Sequence, residues 1–138
     1  FSMLSLSNNS GGPSALLHYY LSVNYNISQP LGYSFTAFEF FKENIKKGYQ
    51  GYDELIYILN NRKLKIKRKN KFFLTELEKL IKKNYIFIKK SKLIIKSDKN
   101  FKKNMFDVFK KVNFEPLKKN PVKINRKDLK NIIERIEN

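Results

Sequence analysis

The residues of this chain that are best placed to take part in chemistry are cations. The segment 62–71 (RKLKIKRKNK) holds seven Lys or Arg side chains and no acid. Like charges at this density repel one another unless a polyanion screens them. A solvated loop is the alternative interpretation of the same run. We favour phosphate contact, made by Arg62, Lys63, Lys65, Lys67, Arg68, Lys69 and Lys71.

The charge of the whole chain points the same way. Its 138 residues include 29 Lys and Arg against 12 Asp and Glu, so the formal net charge is +17. The length suits one domain with a modest core. A protein with so large a positive charge is expected to bind nucleic acid first, and an anionic membrane surface second. No run of apolar residues approaches the length of a membrane span.

Residue types typical of catalysis are scarce. The chain has no Cys and a single histidine, His18, which excludes disulfides, thiolate metal sites and an imidazole cluster. Nucleophile–base spacing, a Gly-rich phosphate loop and metal-ligand spacing are also missing from the sequence. We therefore expect no enzymatic activity, no cofactor and no metal.

The elements that must position the cations divide the chain into three segments. Residues 1–40 contain no Lys or Arg but many aromatics, and we expect an irregular arm that packs on a neighbouring protein. Residues 41–100 carry the basic module, and residues 101–138 form a helical extension. Periodicity predicts helices over Thr36–Lys47, Tyr52–Asn60, Lys102–Val112 and from Asn125 onward, with an extended stretch at Phe114–Val122.

The module is centred on residues 74–96. Thr75 and Glu78 have the spacing of a capping box, and Glu78 can reach Lys82 one turn later. Two β-rich runs follow, Tyr85–Ile88 and Leu93–Ile95, joined by a polar link, which is typical of a hairpin. The expected fold class is α+β, a small helix-helix-hairpin module with an irregular N-terminal arm and a helical C-terminal extension.

This stretch resembles the S-four RNA-binding domain, the module named after the fourth protein of the small ribosomal subunit. Tyr52–Tyr57 is similar to the first helix of that family, and Glu76–Ile81 to its second helix of pattern E-A-R-Q-L-I. Ile86–Lys90 occupies the I-x-V-N-G position and Lys96–Ser97 the A-S position. The match runs without a gap from Glu76 to Ser97. It covers about a third of the chain.

The resemblance implies a structural constituent of the small ribosomal subunit that binds rRNA. The family's Ser-Arg or Thr-Arg pair at the start of its second helix falls on Phe73-Leu74 in the ungapped alignment, and Glu76 takes the place of the arginine if Thr75 is the capping residue. Neither placement keeps the arginine. We therefore expect the basic run 62–71 to supply the contacts instead, assisted by Lys82, Lys83, Lys89 and Lys90. Neighbouring ribosomal proteins are the other expected partners, through the N-terminal arm and the C-terminal helix. The chain is short for this family, and its abundant residue types (Lys, Asn, Ile, Phe and Tyr) have AT-rich codons. Both features suggest a mitochondrial ribosome, with a plastid ribosome as second choice.

Two other functions fit the same order of elements. Three helices followed by a hairpin are typical of a winged-helix DNA-binding domain, although Glu76 and Glu78 would face DNA phosphates. The second alternative is an accessory structural subunit of an organellar complex, whose basic surface serves general charge balance.

Overall fold

The structure is a computed structural model that describes residues 12–52 and 66–138, with the backbone alone for residues 66–69. Six α-helices and one 3₁₀ segment make up this part of the chain, and no strand occurs in it. The elements are α1 (Pro13–Tyr25), α2 (Gln29–Lys46), α3 (Ile66–Lys82), α4 (Tyr85–Ser97), α5 (Phe101–Lys111), the 3₁₀ segment (Glu115–Lys119) and α6 (Arg126–Glu137).

Helix α2 is the centre of the assembly. It packs against α1, α3, α4 and α6, while α6 also contacts α4 and α5. One continuous core fills the space between these helices. Its buried side chains come from five of the helices and include Leu17, Leu21, Phe40, Ile95, Phe101, Met105, Phe109, Leu129, Ile132, Ile133 and Ile136.

The expectation of an irregular N-terminal arm is wrong for residues 12–40. Pro13 and Pro30 stand in the first turns of α1 and α2, where the fixed φ of proline favours helix and no amide is lost. Asn26 ends α1 in the left-handed conformation. Gly32 brings α2 close to α1, because a Cβ there would lie 3.4 Å from the His18 Cβ. Two aromatics of this segment, Phe35 and Phe40, are buried in the chain's own core, whereas Tyr19 and Tyr33 are exposed.

The predicted hairpin is also wrong, since α4 occupies its place. Within α4 the buried side chains are Ile88, Ser91 and Ile95, at the spacing of one helical face. They face α2 and α6. The Ser91 hydroxyl donates to the Phe87 carbonyl at 2.9 Å, one turn back. The β-branched residues that suggested two strands are therefore shared between the buried and exposed sides of a helix, and the α+β class is corrected to all-α for the described residues.

Thr75 does not start a helix, because it lies inside α3, whose described span is Ile66–Lys82. Its hydroxyl donates to the Lys71 carbonyl at 2.8 Å, the back-bonding that threonine adopts inside helices. The expected pairing of Glu78 with Lys82 is confirmed at 3.1 Å. Helix α3 docks on α2 through Phe73, whose ring stacks on Tyr52 and meets Phe41 edge-on.

The C-terminal helices agree with expectation. Helix α5 matches the prediction to within one residue. In α6, Asn125 and Asp128 form a capping box, and the predicted stripe Leu129, Ile132, Ile133 and Ile136 is buried. The stretch 114–122, expected to be extended, contains the 3₁₀ segment instead.

The predicted helix over Tyr52–Asn60 lies outside the described residues from residue 53 onward. The division at residues 40 and 100 stays a prediction, although α2 runs through residue 40. No helix among residues 12–52 and 66–138 is long and apolar enough to cross a membrane.

Candidate nucleic-acid interface

The predicted phosphate contacts fall into three groups. Arg62, Lys63 and Lys65 lie outside the described residues. Lys67, Arg68 and Lys69 belong to the first turns of α3. The side chains that the structure does describe are all exposed, on α3, on the turn that follows it and on α4: Lys71, Lys82, Lys83, Lys89 and Lys90.

Several acids of the chain are engaged inside the fold or on their own helix. Arg135 on α6 donates to Glu39 at 2.8 Å and to Glu43 at 2.9 Å, and both of these carboxylates on α2 are buried. The hydrogen bonds outweigh the burial of Arg135 and raise the pKa of its guanidinium. Lys47 reaches Asp128 at 2.8 Å. These contacts join α2 to α6. Lysines therefore supply most of the charge at the surface.

Helix α3 neutralises part of its own charge. Lys79 contacts Glu76 at 2.7 Å and Lys82 contacts Glu78 at 3.1 Å, all on an exposed surface. Such pairs contribute little stability, but they lower the net charge of the helix surface that was expected to bind RNA. Of the predicted lysines, Lys82 is therefore already paired with a carboxylate.

Helix α4 carries the better cationic surface. Lys89, Lys92 and Lys96 lie at i, i+3 and i+7, so they form one ridge along the helix. We call these three residues the basic ridge. Within the described part of the chain, none of these lysines forms an ion pair with a carboxylate. The sequence interpretation missed Lys92 and Lys96. Residues spaced i, i+3 and i+7 share one side of a helix but not of the predicted hairpin.

Lys92 is the least solvated member of the basic ridge. It is half-buried beside α2, and this burial lowers the pKa of its ammonium. Glu39 opposes the shift, while the like charges of Lys42 and Lys96 add to it. A phosphate group bound here would favour the charged form of Lys92 and relieve the repulsion between these lysines.

Cations near the C-terminus are held differently. The Arg126 guanidinium lies over the Phe114 ring at 4.8 Å from its centroid, and the Lys130 ammonium lies over Phe106 at 5.3 Å. Lys102 contacts Glu137 at 3.0 Å. These contacts position the cations against aromatic rings or a carboxylate, whereas the basic ridge has a solvent-facing edge without such partners in the described residues.

No group of three His, Cys, Asp or Glu side chains that could hold a metal ion occurs among the described residues. Comparison of the chain with protein-family models, with curated protein sequences and with solved structures finds no match. Function is therefore inferred from the chain's own surface.

Proposed function

We propose that this protein binds structured RNA as a structural component of a ribonucleoprotein, with rRNA of a mitochondrial small ribosomal subunit as the expected ligand. The observation that carries the proposal is the basic ridge of α4, whose three lysines form no ion pair with a carboxylate in the described residues. Lysines bind phosphates as point charges, so affinity and position on the RNA come from the backbone.

A helical surface of this kind reads shape more than sequence. Lysine ammonium groups present no planar fork for base edges, and A-form RNA exposes its phosphates at the rims of its grooves. The net charge of +17 adds long-range attraction that speeds association. The basic run 62–71 remains a proposed second contact.

The winged-helix alternative loses support from the structure. Its wing was to be formed by the hairpin at residues 85–95, and α4 occupies that stretch. The same correction removes the hairpin of the S-four resemblance, so RNA binding rests on charge and exposure and no longer on that fold.

The test measures how binding of the full chain to a small-subunit rRNA transcript depends on salt. The triple variant Lys89→Gln, Lys92→Gln and Lys96→Gln is compared with Lys103→Gln, Lys110→Gln and Lys111→Gln, which removes the same charge from exposed positions of α5. Each lost phosphate contact lowers the slope of log K against log salt by about 0.7–0.9. We expect a fall of about 2 in the first triple and less than about 1 in the second.

Two results would contradict the proposal. Equal slopes for the two triples would mean that binding is spread over the whole surface. Equal affinity for rRNA and duplex DNA at matched salt would mean a general polyanion binder. Because Lys92 is half-buried, the double variant Lys89→Gln and Lys96→Gln serves as the check that loss of binding is not loss of fold.

A further inference from the structure

Helix α4 is apolar on the side that faces away from the core. The exposed fractions of Ile86, Phe87 and Leu93 are 67%, 61% and 61%. Six of the ten large exposed apolar or aromatic side chains in the described part lie within residues 80–94. Scattered apolar residues on a surface are ordinary, but a concentration of this kind marks an interaction site.

The exposed apolar residues are arranged around one lysine. Ile86 and Leu93 are seven residues apart and form one line along α4, and Phe87 and Ile94 form a second line. Lys90 lies between the two lines, because it is three or four residues from all four of them. We call these five residues the Lys90 face. Lys90 forms no ion pair with a carboxylate in the described residues.

A groove continues the Lys90 face toward the start of α2. It has a volume of about 350 Å³ and is lined by Phe87, Asn84, Leu31, Pro30, Ser28 and Ser34. Two apolar lines beside an open groove offer both a surface and a pocket for a side chain of a partner. The cation at the centre limits which partner can cover them.

We propose that the Lys90 face docks an amphipathic helix of a partner protein whose apolar side carries a central Asp or Glu. Charge complementarity selects this partner. Covering the apolar lines removes the Lys90 ammonium from water, which is costly unless an opposite charge pairs with it. A carboxylate surrounded by apolar residues satisfies both requirements at once. This site is separate from the proposed RNA contact and goes beyond it.

Other occupants fit less well. A second copy of the chain carries the same charge of +17, and a two-fold contact centred on this face would bring the two Lys90 ammonium groups together. RNA phosphates gain nothing from Ile86, Leu93 or Ile94. A lipid surface would have to accept Lys90 in the middle of the inserted side, whereas interfacial helices keep their lysines on the polar side.

The test uses two synthetic amphipathic helices of about 20 residues, long enough to be helical when bound. They have the same apolar residues and differ only in a Glu or a Lys at the centre of the apolar side. We expect the 138-residue chain to bind the Glu peptide at least about tenfold more tightly than the Lys peptide, as close charge pairs at interfaces allow. The variant Lys90→Glu should reverse this preference.

Exposed substitutions provide the controls. Leu93→Ser should weaken binding of the Glu peptide about tenfold or more, and Val23→Ser, at another exposed apolar position, should not change it. RNA binding should keep its salt slope in Leu93→Ser, which separates this proposal from the previous one.

Several outcomes would overturn the proposal. Equal binding of the two peptides, or no effect of Leu93→Ser, would remove the Lys90 face as a docking site. Leu93-dependent binding to phosphatidylserine vesicles without peptide binding would assign the face to lipid. A dimer that Leu93→Ser dissociates would assign it to a second copy.

Discussion

The Arg135 guanidinium donates a hydrogen bond of 2.9 Å to Glu43, a residue 92 positions earlier in the chain. The same guanidinium donates to Glu39 at 2.8 Å. Two buried carboxylates one turn apart repel each other, and a planar guanidinium can bridge them. This contact joins the central helix α2 to the last helix of the chain.

Loss of this bridge should destabilise the fold strongly. Arg135→Met keeps most of the apolar stem but leaves the buried Glu43 without its partner. We expect a loss of about 3 kcal/mol in the free energy of unfolding, at the lower end for a broken buried pair, because 35% of the Arg135 side chain is exposed. Urea unfolding followed by circular dichroism measures it.

The matched control breaks an exposed pair. Lys79→Met removes the 2.7 Å contact with Glu76 on the surface of α3 and should cost less than about 1 kcal/mol. Equal losses for the two variants would mean that the bridge between α2 and α6 is energetically no different from a surface pair.

The helical state of residues 85–97 can be tested with two isoleucines. Ile88 is 7% exposed and Ile86 is 67% exposed. Ile88→Ala should cost about 2–4 kcal/mol through lost burial and the cavity left behind, while Ile86→Ala should change the free energy of unfolding by less than about 0.5 kcal/mol. Residues 86 and 88 share a face in a strand, so similar losses would favour a hairpin over α4.

A hydrogen bond that should depend on pH links α1 to the turn between α4 and α5. The Tyr25 hydroxyl donates to the Asp98 carboxylate at 2.6 Å, and this bond is the main reason that the pKa of Asp98 is lowered. A lowered folded-state pKa stabilises the fold above the unfolded value of about 3.9, and the gain is lost as pH falls through the folded value.

Tyr25→Phe should therefore raise the pKa of Asp98 and weaken the acid dependence of stability. The pKa should remain below the ordinary value, because the Asn100 amide still donates to Asp98 at 2.8 Å. A carboxyl ¹³C titration by NMR gives the value directly. Tyr19→Phe, at an exposed position, is the control, and an unchanged Asp98 pKa in Tyr25→Phe would exclude the hydrogen bond as its cause.

The close approach of α1 and α2 leaves room for one methyl group. A Cβ on Gly32 would meet the His18 Cβ at 3.4 Å, an ordinary contact distance. Gly32→Ala should stabilise the protein by up to about 1 kcal/mol, because alanine has a higher helix propensity than glycine. Thermal unfolding measures the gain. Gly32→Leu should be destabilising, since its larger side chain cannot fit without moving α1, and a stabilised Leu variant would contradict the close packing.

The elements that sequence reasoning identified well are those with local signals. In α6, the Asn125–Asp128 capping box and the apolar stripe lie within a few residues of one another, and both are present in the fold. Helix α5 is similar, with Phe101, Met105 and Phe109 on one buried face. In each case the hydrophobic period and the helix ends agree, so no distant contact was needed to choose the structure.

Helix α4 shows where local signals stop. Its runs of Ile, Phe and Leu satisfy a strand pattern as well as a helix pattern, and β-branched residues favour the strand. The choice follows from burial of Ile88, Ser91 and Ile95 against α2 and α6, helices that lie far away in the sequence. The change from hairpin to helix also changed the candidate site, because Lys89, Lys92 and Lys96 form a ridge only on a helix.

By itself the sequence determined the chain's large positive charge, its poverty in catalytic residue types and the helices of its C-terminal part. Composition and short-range spacing are enough for such properties. Only the tertiary structure decided that residues 13–25 and 29–46 are core helices, that Arg135 bridges Glu39 and Glu43, and which side of α4 is left exposed. These features depend on the free energy gained when elements that are distant in the sequence bury an apolar residue. A short window of sequence does not contain that information.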